Sequence, residues 1–240
     1  MFDESRWKEV GEVADGVTRL GRLNLYDMEE KNDVLLTIAD LCCGFGRMSM
    51  EFARRGFITT GVDITSSYLK TAKEEASYEK LKINYIKEDV RIFRSRGAFN
   101  LAVNLYNSFG FFENPEDDLL FAKNAYYSLK PGGAFIIEVL GKEIAARDYT
   151  SADWFERAGF TVLTESEPID SWSSMWNKWV IIKGAERHEK VFIQRLYAAS
   201  EMRRLLFKAG FSEVEIYGSW EDVPYNADAK MLIAVGRKKK

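Results

Sequence analysis

The segment at residues 38–47 (IADLCCGFGR) constrains the fold of this chain more than any other. A short apolar run ends there in Asp40 and Leu41, and the turn that follows contains Gly44 and Gly46. Because glycine lacks a Cβ, a ligand can approach the backbone of such a turn closely. The pattern predicts a strand that runs directly into a nucleotide-type binding loop.

A dinucleotide such as NAD requires a different glycine spacing in this loop. The G-x-G-x-x-G fingerprint would place glycines at positions 42, 44 and 47, but Cys42 and Arg47 stand at the first and last of them. Asp40, at the mouth of the loop, would also repel a pyrophosphate. It favours instead a ligand with an ammonium and a sulfonium and no phosphate. An NAD-dependent oxidoreductase is therefore disfavoured.

Polar side chains also follow the next three strands of the pattern. Asp63 lies at the end of the second strand, where a carboxylate can accept hydrogen bonds from both hydroxyls of a ribose. Asp89 follows the third and is placed for the edge of an adenine, with Val90 beside it as apolar packing. The fourth ends in a polar and aromatic cluster at residues 104–110 (NLYNSFG). Ligands bind at the carboxyl edge of an open parallel sheet, so these groups predict one site.

Short apolar runs alternate with helical periodicity from residue 34 onward, which is typical of βαβ units and a largely parallel sheet. The predicted strands of that sheet cover residues 35–41, 57–62, 83–87, 99–105, 134–140, 214–217 and 231–236. Helices are predicted near residues 48–55, from Ser66 onward, near 117–129 and near 200–208, with one or two more in the first thirty residues. A chain of 240 residues is expected to bury one main core.

The pattern changes after the fifth strand. Residues 161–167, 174–183 and 189–196 predict three strands with no helix between them, so an antiparallel β insertion is expected before the last helix. The predicted domains are an α/β unit at residues 1–160 and 198–240 and an insertion at 161–197. Trp176 and Trp179 are three residues apart and face opposite sides of a strand, so at least one of them packs the sheet. An exposed aromatic face on the insertion would suit a cap over the substrate or the surface of a homodimer.

The motifs together resemble those of the class I S-adenosylmethionine-dependent methyltransferases. The first motif of that family, D/E-x-G-x-G-x-G, is matched by residues 40–46 (DLCCGFG), and its acidic residue after the second strand is matched by Asp63. Residues 88–90 (EDV) resemble the adenine motif, and residues 129–133 (LKPGG) resemble the turn into the fifth strand. The resemblance extends from about residue 7 to the C-terminus. It implies an α/β, Rossmann-like, seven-stranded sheet with an antiparallel last strand, and S-adenosylmethionine as cofactor.

The strand ends and the resemblance together predict two sets of site residues. The predicted cofactor-binding residues are Asp40, Cys42, Cys43, Gly44, Gly46, Arg47, Asp63, Ile64, Asp89, Val90 and Asn104. The predicted substrate-binding residues are Tyr106, Asn107, Trp172, Trp176, Arg195 and Tyr197. Tyr106 is also a candidate base, from which a hydroxyl or carbon acceptor would benefit and which a neutral amine would not need. The other candidate, His188, is more simply explained as a partly exposed sheet residue.

Cys42 departs from the family motif, which has glycine at that position. Either the backbone of Cys42 keeps φ below zero, or the methionine part of the cofactor is bound slightly differently. A redox or metal role for Cys42 and Cys43 is disfavoured, since nothing nearby activates a thiolate. Adjacent cysteines cannot form an ordinary disulfide, and with a single histidine in the chain no metal site is predicted.

Charge and composition disfavour nucleic acid and membrane partners. The formal net charge is −3 and the isoelectric point is near 5.5, which provides no global attraction for a polyanion. The first residues (MFDESRWKEVGEVADG) are acidic without an apolar stretch, so a soluble, cytoplasmic protein is expected.

The predicted function is methyl transfer to a nitrogen or oxygen atom of a small molecule by in-line displacement. An RNA or protein methyltransferase is the first alternative. The acidic isoelectric point and the sequence NLYN at residues 104–107, in place of N-P-P-Y, argue against RNA. The second alternative is a module that binds the cofactor without turnover.

Overall fold

The computed structural model describes residues 4–23 and 36–240. Its helices are α1 (Glu4–Leu20), α2 (Arg47–Arg54), α3 (Ser66–Tyr78), α4 (Pro115–Ser128), α5 (Lys142–Arg147) and α6 (Ala199–Ala209). Its strands are β1 (Thr37–Leu41), β2 (Ile58–Asp63), β3 (Ile83–Lys87), β4 (Phe99–Asn104), β5 (Leu129–Val139), β6 (Ala152–Arg157), β7 (Phe160–Ile169), β8 (Ser174–Lys183), β9 (Glu186–Arg195), β10 (Glu213–Tyr217) and β11 (Leu232–Arg237). The predicted N-terminal helix is confirmed as α1; the rest of that prediction, and residue 35 of the first strand, lie outside the described residues.

Within the described residues, seven strands form one sheet in the order β10-β11-β5-β4-β1-β2-β3. Strands β1 to β5 pair in parallel, and β11 runs antiparallel to both β5 and β10. The strand order reverses between β1 and β4, which is where such sheets bind ligands. The predicted seven-stranded sheet with an antiparallel last strand is therefore confirmed.

Helices cover both faces of this sheet because each presents an apolar stripe to it. On one face α1 and α2 bury Val17 and Phe52. On the other, α4 and α6 bury Phe121 and Leu206. Each such side chain contributes roughly 1.5–3 kcal/mol by burial, so the strand ends are held by a well-packed core. In the described ranges no helix has the length and apolar character that a bilayer span requires.

Strand β5 begins at Leu129, earlier than the predicted start at residue 134. The Pro-Gly-Gly segment joins the sheet as an irregularity, since Leu129 pairs with Phe99 before the register shifts. Gly132 N donates to Lys238 O at 3.1 Å, which ties the segment to the C-terminal end of the chain. The helix α4 ends at Ser128, before this segment, and the segment lies within β5 rather than in the predicted separate turn.

A second sheet, β6-β7-β8-β9, is antiparallel throughout, and we call it the lid sheet (residues 152–195). It has one strand more than the three predicted and begins before the predicted boundary at residue 161. The extra strand is β6, an edge strand whose first three residues are exposed. Its sequence, ADWFER, mixes charged and aromatic residues and lacks the apolar run by which the other strands were recognised.

Candidate functional site

The loop after β1 forms the floor of a cleft at the carboxyl edge of the large sheet. Cys43 N donates to Val62 O at 3.0 Å, and Gly46 N donates to Cys43 O at 2.9 Å, which closes the turn before α2. Cys42 has φ +63°, so the first of the two alternatives for this residue, a negative φ, is wrong. A non-glycine residue in this left-handed region costs roughly 1–2 kcal/mol, which the surrounding turn must offset.

The two glycines of the loop meet different needs. Gly44 has φ +56°, and a Cβ added there would have no atom within 4 Å, so this residue faces the open cleft. Gly46 has φ +74°, and its Cβ would lie 2.3 Å from Tyr85 Oη. Tyr85 is only 8% exposed and has little room to move. Gly44 therefore leaves space for a ligand, and Gly46 leaves space for the core.

Asp40, near the end of β1, is a buried carboxylate at the base of the cleft. Burial raises the pKa of Asp40 to about 6, because removal from water disfavours the charged form. Ser49 Oγ donates to Asp40 Oδ2 at 2.6 Å, which lowers the pKa in part. A cation bound beside Asp40 would restore its charge.

Asp63, at the end of β2, fastens the loop across the cleft. Its Oδ2 accepts a hydrogen bond from Gly44 N at 2.8 Å, and its Oδ1 accepts one from Thr65 N at 2.8 Å. Each carboxylate oxygen has a second lone pair. Asp63 therefore retains two acceptor positions for a ligand while it positions the loop.

Asp89 and Val90 line the next part of the cleft. Arg91 holds both oxygens of Asp89, with Nη2 donating to Oδ2 at 2.6 Å and the backbone N donating to Oδ1 at 2.8 Å. These hydrogen bonds lower the pKa of Asp89. Val90 is buried, and Ile64 in the same part of the cleft is 61% exposed. Apolar side chains beside a fixed carboxylate suit a flat heterocycle with a polar edge.

The three predicted carboxylates share one cleft, as expected from the strand ends. Asp40 and Asp63 line a part of about 280 Å³. Asp63 and Asp89 line an adjoining part of about 710 Å³. The predicted cofactor residues that line the cleft are Asp40, Cys42, Cys43, Gly44, Arg47, Asp63, Ile64, Asp89 and Val90.

The other two predicted cofactor residues, Gly46 and Asn104, lie behind the cleft. Asn104 is fully buried, and its Nδ2 donates to Leu41 O at 2.9 Å, so it fixes the end of β1.

The cysteines of the loop are inert. Burial raises both thiol pKa values, that of Cys42 to about 12, so neither is a thiolate near neutral pH.

Sequence reasoning missed an aromatic part of the cleft. Phe45 and Tyr68 have ring centroids 4.4 Å apart, and both line the part that contains Asp40. Phe45 stands inside the glycine loop, and Tyr68 lies in the first turn of α3, just after the end of β2. Those positions next to the predicted motifs were the signal that could have identified them.

Tyr106 lines both parts of the cleft and two further cavities, so the cleft and these cavities meet at this residue. Tyr106 and Asn107 have φ of +56° and +59°, a strained turn. Tyr106 N donates to Glu138 Oε2 at 2.7 Å, and Leu140 N donates to Asn107 Oδ1 at 2.9 Å, so the end of β5 holds the turn. The Arg47 guanidinium lies 4.6 Å from the centroid of the Tyr106 ring. Glu138 was not predicted, although a charged residue in the apolar run of β5 was a signal.

The two further cavities lie between the lid sheet and the core. The large lid cavity has a volume of about 630 Å³, and the small lid cavity has about 470 Å³. The large one combines aromatic and amide side chains, among them Phe111, Phe155, Trp179, Phe192, Asn107, Asn177 and Gln194. The charged residues of the small one are Arg47, Glu138, Arg157 and Lys230.

The tryptophans of the lid sheet divide between its two faces, as their spacing predicted. Trp179 lines both lid cavities. Trp176 lies on the opposite face of β8, because side chains alternate along a strand and Met175 and Asn177 line the large cavity. Trp172 packs edge-on against Tyr149, with ring centroids 5.4 Å apart. Trp172 therefore makes a structural contact and Trp176 faces away from the cavity, whereas Trp179, which was not among the predicted substrate residues, lines it.

Arg195 and Tyr197, also predicted to bind substrate, contact the buried carboxylate of Asp118 instead. Tyr197 Oη donates to Asp118 Oδ2 at 2.7 Å, and Arg195 Nη1 donates to the same oxygen. The side chain of Asp118 has no exposed area, and burial raises its pKa. These contacts fasten the end of the lid sheet to α4.

His188 is exposed on β9, as its simpler explanation predicted.

The comparisons with known proteins agree with this geometry. Residues 38–133 match a family model described as "Methyltransferase domain". The chain is 26% identical over 215 residues to "Putative methyltransferase YqeM" of Bacillus subtilis, which covers 85% of this chain and 84% of that protein.

Two solved structures share the fold. An S-adenosylmethionine-dependent methyltransferase from Clostridium acetobutylicum superposes with a TM-score of 0.77 at 16% identity, covering 96% of this chain and 92% of the other. The sugar N-methyltransferase KedS8 from Streptoalloteichus sp. gives a TM-score of 0.73 at 17% identity, covering 98% and 90%. The loop, the acidic strand ends and the sheet order agree with these matches, which support a class I S-adenosylmethionine-dependent methyltransferase.

Proposed function

We propose that this methyltransferase transfers a methyl group to a nitrogen or oxygen atom of a small molecule bound in the large lid cavity. The supporting observation is the position of that cavity, which has a volume of about 630 Å³ and shares Tyr106, Asn107 and Phe111 with the cofactor cleft. A cavity of this size fits a molecule of drug-like dimensions.

The cleft suits S-adenosylmethionine by its own chemistry. The cationic end of the cofactor would lie beside Asp40, and Asp63 would accept hydrogen bonds from the ribose hydroxyls. The open space over Gly44 leaves room next to the backbone, and Val90 and Ile64 provide apolar contact for the adenine. Bound there, the cofactor supplies a methyl group carried on a positively charged sulfur.

The residues around Tyr106 would align the acceptor and exclude water, which are the main requirements of an in-line displacement. Asn107 Nδ2 donates to Gln194 Oε1 at 3.0 Å, so the wall between cleft and cavity is tied to the lid sheet. A neutral amine acceptor needs no base. For a hydroxyl acceptor, Tyr106 and Glu138, which line the small lid cavity beside the cleft, are the candidate bases.

Two further observations support a small acceptor. The net charge of −3 provides no attraction for a polyanion such as RNA. The sugar N-methyltransferase that shares this fold acts, by its name, on a nitrogen of a small polar molecule. The amides of Asn177 and Gln194 would offer hydrogen bonds to a molecule of that kind.

The test is an assay of S-adenosylhomocysteine release with a panel of small amines and phenols. We expect turnover with members of one class. Asp63→Asn should weaken S-adenosylmethionine binding about tenfold or more by calorimetry, because charge-assisted hydrogen bonds contribute about 1.5–3 kcal/mol each. Glu186→Gln, an exposed carboxylate on β9, is the matched control and should bind like the parent. Methylation of RNA or protein with no small acceptor, or saturable cofactor binding with no transfer to anything, would overturn the proposal.

A further inference from the structure

We propose that the acceptor carries an anionic group, a carboxylate or a phosphate, which binds to Lys230 where the two lid cavities meet. The inference rests on the proposed function and narrows its substrate class. Lys230 lies in the connection between β10 and β11 and lines both the large and the small lid cavity. An anion there would touch both compartments of the proposed acceptor site.

The cofactor cleft and the lid cavities differ in the charge of the residues that line them. The charged residues that line the cofactor cleft are Asp40, Asp63, Glu88 and Asp89 with Arg47 and Arg91. Those that line the lid cavities are Arg47, Arg157 and Lys230 with Glu138 and Asp148. Asp148 is already neutralised by Arg147, whose Nη2 lies 2.6 Å from Asp148 Oδ2. The cleft is therefore acidic, as suits a cationic cofactor, and the lid cavities are basic.

Lys230 is a cation without a counter-ion on a fixed segment of backbone. Among the residues that the structure describes, its ammonium group forms no ion pair. Its backbone is held, because Lys230 N donates to Gly218 O at 3.4 Å and the adjacent Ala229 is only 5% exposed. The fixed backbone sets where the side chain starts, so only the rotamers of the side chain remain to be ordered when an anion binds.

The surroundings of Lys230 strengthen any ion pair that forms there. Phe155, Trp179 and Leu140 line both cavities together with Lys230. Lys230 is itself exposed, but a ligand bound between it and these apolar side chains would exclude water from the ion pair, which would then gain more than it does at an open surface. Tyr106 lines the same two cavities and the cofactor cleft. An acceptor anchored by its anion at Lys230 would thus extend toward the wall beside the cofactor.

The experiment uses binding, so it does not depend on knowing the natural acceptor. Protein saturated with S-adenosylhomocysteine is titrated with 4-aminobenzoate, 4-aminophenyl phosphate and the neutral 4-aminobenzamide. We expect at least one of the two anions to bind roughly tenfold more tightly than the amide, the effect of one charge-assisted contact. The tighter of the two identifies the group as a carboxylate or a phosphate.

Three variants test whether Lys230 causes that preference. Lys230→Met should bring the ratio of anion to amide affinity to about one, and Lys230→Arg should keep most of it. Lys208→Met, an exposed lysine on α6, is the matched control and should behave like the parent. Unchanged binding of S-adenosylmethionine by Lys230→Met would show that the variant is folded.

An equal affinity for anions and amide in the parent, or an undiminished preference in Lys230→Met, would overturn the inference. Either result leaves the proposed function intact if the panel of small acceptors supports turnover. Conversely, a preference that depends on Lys230 with no turnover on any small acceptor would support the anion site and reject the proposed function.

Discussion

The cofactor cleft and the lid cavities are built in different ways. In the cleft, groups at neighbouring strand ends hold one another, as where Asp63 accepts from Gly44 N at 2.8 Å. The lid cavities depend on contacts between distant segments, such as Gln194 Nε2 donating to Phe109 O at 3.2 Å. The difference shows that neighbouring strand ends of the large sheet position the predicted cofactor residues, whereas a few side-chain contacts between distant segments position the lid.

The largest expected effect comes from removing one of those contacts. Arg195→Met should lower the free energy of unfolding by about 3–5 kcal/mol, because it leaves the carboxylate of Asp118 buried without its cation. Urea unfolding measures the loss. Arg187→Met, an exposed ion pair on the same strand, should cost less than about 1 kcal/mol. Adding Asp118→Asn to Arg195→Met should recover part of the loss, and a strictly additive double variant would argue against the lid contact.

Alanine substitutions at Gly44 and Gly46 provide the corresponding test in the cofactor cleft. Gly46→Ala should lower the free energy of unfolding by roughly 2–4 kcal/mol, through backbone strain and the clash with Tyr85. Gly44→Ala should cost only about 1–2 kcal/mol, since its Cβ enters open space. Calorimetry should give the opposite order, with Gly44→Ala weakening S-adenosylmethionine binding more. Equal stability of the two variants would contradict the division of roles between the glycines.

We expect Asp40 to make cofactor binding depend on pH. Its pKa is raised to about 6 in the free protein, and a bound cation favours the charged form, so the affinity for S-adenosylmethionine should fall as pH decreases from 7 to 5. The limit is about tenfold per pH unit below the pKa. Asp40→Asn should bind more weakly at pH 7 and show little pH dependence. Calorimetry at several pH values measures this dependence. An affinity of the parent protein that stays constant between pH 7 and 5 would refute the role of Asp40.

The pH dependence of folding stability has the opposite sign to the pH dependence of cofactor binding. In the free protein the raised pKa favours the protonated form of Asp40 in the folded state. Asp40 therefore stabilises the fold at low pH, and this contribution is lost as pH rises through about 6.

The smallest expected effect distinguishes the two faces of the lid sheet. Trp179→Ala should weaken the binding of an accepted small molecule about tenfold, since aromatic contact in the cavity is lost. Trp176→Ala should change that affinity by less than about twofold. Titration of protein loaded with S-adenosylhomocysteine measures both, and the reverse order would place the acceptor elsewhere.

The cofactor cleft was largely predictable from the sequence because its residues lie in one loop or at strand ends. Asp40, Asp63 and Asp89 needed only the strand pattern and the rule that parallel strands meet at one edge. The conformation of Cys42 was not predictable, because neighbouring hydrogen bonds and not the residue type impose its φ of +63°.

The lid was predicted less well because its contacts join distant parts of the chain. No local pattern near Arg195 or Tyr197 reveals that both reach Asp118 on α4. The spacing of Trp176 and Trp179 predicted opposite faces, but which face is inward depends on how the lid sheet packs on the core.

The strained turn at Tyr106 and Asn107 is a wall common to the cleft and the large lid cavity, the proposed sites of cofactor and acceptor. Each ligand that orders this wall alters the free energy of binding of the other, and thermodynamic linkage makes the factor the same in both directions. The affinity for the cofactor measured with the acceptor present should thus differ from that measured without it, by the factor by which the cofactor changes the affinity for the acceptor.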